Sequence, residues 1–129
     1  MNRWELLDTA DIPRNGGQLR LLRRANEFSI RISGSQGDLM NSRTHGSEDA
    51  LGELACAHCR TAESARVLIG GLGMGFTLKR VLELVGSPAT VDVAELMNQV
   101  IEWNRTYLLE HNGPLLDDPR TNIILTDLF

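Results

Sequence analysis

Val67-Leu68-Ile69-Gly70-Gly71-Leu72-Gly73-Met74-Gly75-Phe76-Thr77-Leu78 is the stretch whose reading decides the fold. Val67 to Ile69 is a short apolar run of the kind a buried parallel strand requires. Glycines follow at positions 70, 71, 73 and 75. From Phe76 to Val85 the apolar residues fall at helical spacing, and Gly86 with Pro88 just beyond closes the helix. A strand, a glycine turn and a helix together bring bare backbone against a bound group. A Cβ in that turn would block either the tight chain path or the ligand.

Downstream the alternation continues. Thr90 to Ala94 predicts a second strand that ends at Glu95. Leu96 to His111 predicts a helix with Leu96, Val100, Trp103 and Tyr107 on one face, stopped by Asn112-Gly113-Pro114. Asp117-Asp118-Pro119-Arg120 reads as a turn, and Asn122 to Thr126 as a third buried strand with Asp127 at its end. Residues 66 to 129 therefore read β-α-β-α-β, one half of a doubly wound sheet. Right-handed crossovers set the three strands side by side in the order 3-2-1. The first strand, central in a complete sheet of this kind, is left at an edge. An exposed apolar edge invites aggregation, so the expectation is a truncated piece of a longer protein, or an edge covered by another subunit.

Upstream the pattern is different. Residues 1 to 16 are mixed, with Pro13 and Gly16-Gly17 as breakers. Gln18 to Arg24 reads as a strand and Ala25-Asn26 as a turn. Glu27 to Ser33 alternates, with Phe28, Ile30 and Ile32 on one face and Ser29 and Arg31 on the other, as in a half-buried antiparallel strand. Asp38 to Ser42 reads as a third short strand. Ser47 is placed to cap a helix over residues 47 to 59, with Glu48 and Asp49 at its positive end and Leu51, Leu54 and Ala55 on its apolar face. The predicted fold class is α/β. A β-meander over residues 1–46 is followed by the first β-α-β-α-β half of a Rossmann-like fold over residues 47–129.

Cys56-Ala57-His58-Cys59 is a CxxC. No second CxxC or His pair completes a zinc site, and the motif ends a helix where a redox motif would follow a strand. It reads as a pair of structural thiols, and no metal is expected.

Bulk composition bounds the rest. The chain has 129 residues, 42% of them apolar, enough for one packed core or part of one. Its formal charge is −4 and its isoelectric point near 5.3, which argues against nucleic acid or an anionic membrane as a partner. No apolar run reaches the roughly 18 residues of a spanning helix, and Met1 to Glu5 lacks the apolar core of a secretion signal. The expected protein is soluble and cytoplasmic.

Ligands of open α/β sheets bind outside the carboxyl ends of the strands, and each of the three ends carries a useful group. The glycine loop follows the first. Glu95 ends the second, where a carboxylate accepts hydrogen bonds from both hydroxyls of a ribose. Asp127 ends the third, where a carboxylate accepts one from an adenine amino group. Together Gly70, Gly71, Gly73, Gly75, Glu95 and Asp127 describe an adenosine pocket. The loop spacing is G-x-G-x-G. It is not the dinucleotide G-x-G-x-x-G, because the sixth position is Phe76 counted from Gly71 and Leu78 counted from Gly73. A phosphate-binding P-loop is excluded, since no Gly-Lys-Ser/Thr occurs. A ligand without pyrophosphate is implied: S-adenosylmethionine or a relative.

These residues also carry a family likeness. From about Leu19 to Phe129 the chain resembles the spermidine synthase-like (aminopropyltransferase-like) branch of class I S-adenosylmethionine-dependent transferases. The specific parts are VLIGGLGMGFTLKRVLE (67 to 83), VDVAEL (91 to 96), the helix with Val100-Ile101, LDDPR (116 to 120) and the closing Thr126-Asp127. NEFSIRI (26 to 32) and LMNSRTHGSEDAL (39 to 51) resemble the small β-domain of the same group. The resemblance implies a Rossmann-like methyltransferase fold for residues 47–129, and binding of S-adenosylmethionine or decarboxylated S-adenosylmethionine by the glycine loop, Glu95 and Asp127. It also implies attack by a small-molecule amine on carbon next to a sulfonium, and a homo-oligomer, usually a dimer.

The chain departs from the family in several places. Spermidine synthases carry Gly-Gly-Gly-Asp-Gly-Gly in the loop, whose Asp helps hold the aminopropyl donor; here that position is Gly73, and Leu72 stands before it. His45-Gly46-Ser47-Glu48 replaces a Tyr-Gln-Glu segment, and Ile69 replaces the acidic residue that methyltransferases place two residues before the first glycine of G-x-G-x-G, here Gly71. The family's catalytic aspartate follows a fourth strand, beyond this chain. His45 is the one candidate base in hand. A non-catalytic interaction module that kept the fold is the alternative expectation.

Overall fold

A computed structural model describes residues 3–57, 59 and 64–127. The chain divides between His45 and Gly46 into two compact units.

The first unit is a four-stranded antiparallel meander: β1 (Glu5–Asp11), β2 (Gln18–Arg24), β3 (Glu27–Ile32) and β4 (Met40–Asn41), paired in chain order. Leu19 opposes Ile32, Leu21 opposes Ile30, and Ala10 opposes Leu19. This register puts Ala10, Leu19, Leu21, Phe28 and Ile30 on one buried face. The sequence pattern hides β1. A bulge between Leu6 and Asp8 breaks its alternation, and Ala10 is its one buried residue.

The expected polar face of β3 is not solvated, since Ser29 is fully buried. Its hydroxyl donates to Asp38 Oδ1, and Arg31 Nε donates to the same oxygen at 3.1 Å. Asn41 Nδ2 reaches Asp38 Oδ2 at 3.1 Å. The Trp4 ring lies within 4.5 Å of the Arg24 guanidinium and 4.9 Å of that of Arg31. The Ser29 hydroxyl, ahead of Asn41 and Arg31, holds the Asp38 carboxyl below the usual carboxylate range against the opposing effect of burial.

The second unit holds α1 (Gly46–Ala55), β5 (Arg66–Gly70), α2 (Phe76–Leu84), β6 (Thr90–Glu95), α3 (Asn98–Arg105), a 3-10 helix (Gly113–Asp117) and β7 (Thr121–Leu125). The strands form a parallel sheet in the order β5-β6-β7. This is the 3-2-1 arrangement with the first strand at an edge. Val91 and Val93 of the central strand are fully buried, and α2 and α3 both pack on that strand. Leu68 of β5, on the opposite face, is 63% exposed and Ile124 of β7 is 43% exposed. Among the described residues, then, helices cover one face of the sheet. The expected third buried strand is corrected accordingly: in β7 Thr121 alone is buried.

Other boundaries move for local reasons. The helix expected over residues 96 to 111 ends at Arg105. The Trp103 carbonyl accepts both Thr106 N–H and Leu108 N–H, which closes the helix early and swings the chain away. Val100 and Trp103 are buried as expected, but Leu96 and Tyr107 are exposed. Helix α1 stops at Ala55, and Ser47 lies inside it with its hydroxyl donating to Glu48, so Ser47 is not the cap. Cys56 and Cys59 follow the helix as free thiols, and burial, reinforced by Cys59, pushes the Cys56 thiol up. His58 of the CxxC lies outside the described residues.

Arg120 ties the sheet to α2. Its Nη1 donates to the carbonyls of Leu82 and Val85 at 2.9 Å each, while Asp118 accepts from its Nε and Nη2 at 3.0 Å. These bonds cap the carboxyl end of α2. They also hold the Asp118 carboxyl low and raise the Arg120 guanidinium.

Candidate functional site

The glycine loop leaves β5 through Gly71, whose N–H donates to the Ala94 carbonyl at 2.8 Å as a last rung of the ladder. Gly71, Gly73 and Gly75 take φ of 101°, 56° and 83°, values that L side chains strain to reach. Two of these glycines serve different ends. A Cβ on Gly71 would meet nothing within 4 Å, so it would stand in open space. A Cβ on Gly75 would come within 2.8 Å of the Asn112 Cβ. Gly71 keeps a cleft clear, whereas Gly75 lets the loop pack against the chain beyond α3.

The cleft lies at the carboxyl ends of the three strands and has a volume of about 210 Å³. Gly70 and Gly71 line one side, Glu95 and Leu96 the middle, and Thr126 and Asp127 the other side. The strand-end placement follows from the parallel register, which pairs Gly70 with Ala94 and Glu95 with Leu125. The Thr126 N–H donates to the Glu95 carbonyl at 2.9 Å and carries β7 past the sheet, bringing Asp127 to the rim. Of the six residues expected from sequence, the structure brings Gly70, Gly71, Glu95 and Asp127 together around this cleft. Gly73 and Gly75 are not among its lining residues; they shape the turn behind it. His45 is not among them either.

Glu95 is 7% exposed, and its carboxylate is already engaged. Oε1 accepts the Leu72 N–H and Oε2 accepts the Met97 N–H, each at 2.9 Å. One bond reaches into the glycine loop and the other into the residue that starts α3. A carboxylate offers about four acceptor positions, so each oxygen keeps one. Leu72 and Met74, the loop's own side chains, are buried, and no loop side chain is charged.

Two residues that sequence reasoning passed over also touch the loop. Asn104, fully buried in α3, donates from Nδ2 to the Gly73 carbonyl at 2.7 Å and to the Val100 carbonyl at 2.9 Å. Asn112 donates from Nδ2 to the Met74 carbonyl at 2.9 Å. The available signal was Asn104 itself, a polar residue four positions after Val100 and hence on the apolar face.

No protein-family model matches the chain, and no curated protein matches it. Solved structures do. Spermidine synthase from Thermotoga maritima superposes with a TM-score of 0.67 at 20% identity, over 95% of this chain and 41% of that one. A spermidine synthase in complex with the transition state analogue AdoDATO gives 0.68 at 20% identity, over 95% and 41% of the two chains. A probable spermidine synthase from Corynebacterium glutamicum ATCC 13032 gives 0.54 at 13% identity, over 95% and 44%. The fold is thus spermidine synthase-like, and the chain spans about two fifths of the length of these structures. No helix among the described residues is long and apolar enough to cross a membrane.

Proposed function

We propose that the cleft at the carboxyl end of the parallel sheet binds S-adenosylmethionine or its decarboxylated form. The chain is then the ligand-binding part of a spermidine synthase-like transferase acting on a small amine, whose catalytic segment this chain does not contain. One observation carries this reading: the open backbone of Gly71 and the carboxylates of Glu95 and Asp127 line a single cleft. Ribose offers two hydroxyl donors and adenine an amino donor, and ionised carboxylates are acceptors only. The acceptor positions that Glu95 keeps suit the ribose, and Asp127 across the cleft suits the adenine. The uncharged glycine loop leaves room for the sulfonium. Such a ligand supplies an activated carbon. The amine lone pair forms the new C–N bond, the C–S pair returns to sulfur as a neutral thioether, and the ammonium proton leaves to solvent or a base.

Calorimetric titration with both ligands tests the site. Saturable binding of at least one, displaced by adenosine, is expected, and Asp127→Ala should weaken it by about 1.5–3 kcal/mol, the range for a hydrogen bond to a charged group. Absence of saturable binding by the folded protein would overturn the reading. That result would favour a non-catalytic interaction module, in which Glu95 only ties the loop to the start of α3; its two bonds to backbone N–H groups are the observation on that side.

A further inference from the structure

We infer that Asn104 and Asn112 are positioning residues for the glycine loop, fixing from behind the backbone that borders the cleft; this rests on the reading of the cleft as an adenosyl site. The loop carries no side chain that could hold its own shape. Leu72 and Met74 are buried, and the rest is glycine. Besides one bond within the loop, from the Gly75 N–H to the Leu72 carbonyl, its peptide groups are held in succession from outside. Glu95 takes the Leu72 N–H, Asn104 takes the Gly73 carbonyl, and Asn112 takes the Met74 carbonyl.

The two asparagines are themselves locked in place. Both neighbours of the Asn104 amide are carbonyls, which fixes the orientation of the amide: Nδ2 must face them. Its Oδ1 is buried with no hydrogen-bond partner among the described residues, a cost tolerated for the sake of the two donor bonds. A Cβ on Gly113 would collide with the Asn104 carbonyl, and one on Gly75 would strike Asn112. Asn112-Gly113 is therefore a packing joint between the end of α3 and the loop as well as a helix stop. The chain leaves α3 at Arg105, and the segment that follows brings Asn112 to the Met74 carbonyl.

Asn104→Asp and Asn112→Asp keep the shape and remove the donor. Asn104→Ser and Asn112→Ala, which bury no acid, stand in if the aspartates do not fold. Arg120→Met is the control, since it uncaps α2 at the end remote from the loop. The readouts are the thermal midpoint, amide hydrogen exchange over residues 72–75, and the dissociation constant for S-adenosylmethionine. Each asparagine variant should speed loop exchange and weaken binding about ten-fold, the effect of one lost buried hydrogen bond. Arg120→Met should lower the midpoint at least as much and leave both loop exchange and affinity unchanged. Affinity that simply follows the midpoint in all variants, or loop exchange that stays put, overturns the inference. If the unaltered protein binds neither S-adenosylmethionine nor its decarboxylated form, the reading of the cleft fails, and loop exchange alone then decides the role of the asparagines; where only the decarboxylated form binds, its dissociation constant is the readout.

Discussion

The two units use side-chain hydrogen bonds around their buried polar groups in opposite ways. In the meander, buried Ser29 bonds to Asp38, and Asp38 in turn accepts from Arg31 and Asn41 nearer the surface. In the parallel unit, Glu95, Asn104 and Asn112 bond to backbone, and the backbone they hold is the glycine loop. A side chain bonded to another side chain stabilises a sheet that already has its own ladder. A side chain bonded to a loop peptide helps set the shape of a segment that lies beyond the ladder and has no polar side chain of its own. The meander's side-chain bonds add to its ladder, whereas those of the parallel unit fix a loop that borders the cleft.

This contrast can be broken most forcefully at Gly75. Gly75→Ala adds a left-handed strain and a clash with Asn112, and should cost about 3 kcal/mol in stability from the two terms together; urea denaturation measures it. Gly71→Ala should cost about 1 kcal/mol from strain alone, yet reduce ligand affinity more than stability, because its Cβ stands in the cleft. Equal losses of stability at the two positions would erase the distinction between them.

Glu95→Gln comes next. Glutamine has one carbonyl oxygen for two N–H groups, so either Leu72 or Met97 is left unmet, at about 1–3 kcal/mol. Denaturation should show the loss, and hydrogen exchange should locate it in the loop or at the start of α3.

A smaller effect separates the meander by pH. The Asp38 pKa is lowered in the folded state, chiefly by the Ser29 hydroxyl. The stability it confers is therefore full above the unfolded carboxylate value of about 3.9 and lost as pH falls through the lower folded value. Carboxyl NMR titration should place the Asp38 midpoint below that of an unfolded aspartate, and Ser29→Ala should move it up. Least of all, Arg23→Gln should change stability by no more than about 0.5 kcal/mol, because the Arg23–Glu5 pair is exposed at both ends.

Much of the fold was legible because its cues are local. The apolar run at 67 to 69, the glycines and the next helix lie within 20 consecutive residues, and the register of β2 with β3 follows from a two-residue turn. The misreadings arose where the cue was not local. Strand β1 was missed because a bulge spoils its period. The helix from Asn98 was read too long because nothing near Thr106 announces that the Trp103 carbonyl will take two donors. β7 read as buried because its composition is apolar, while its exposure depends on what lies across the sheet.

By itself, then, the sequence determined the order of strand, turn and helix, and the chemistry at the strand ends, since both depend on neighbours along the chain. The tertiary structure decided that Gly71 opens a cleft while Gly75 closes a joint, that the Glu95 carboxylate is engaged by two N–H groups, and that two asparagines brace the loop. Asn104 and Asn112 act on carbonyls 31 and 38 residues earlier in the chain. A hydrogen bond depends on an approach of about 3 Å in space, and separations of that length along the chain become contacts only when the helices and sheet have packed.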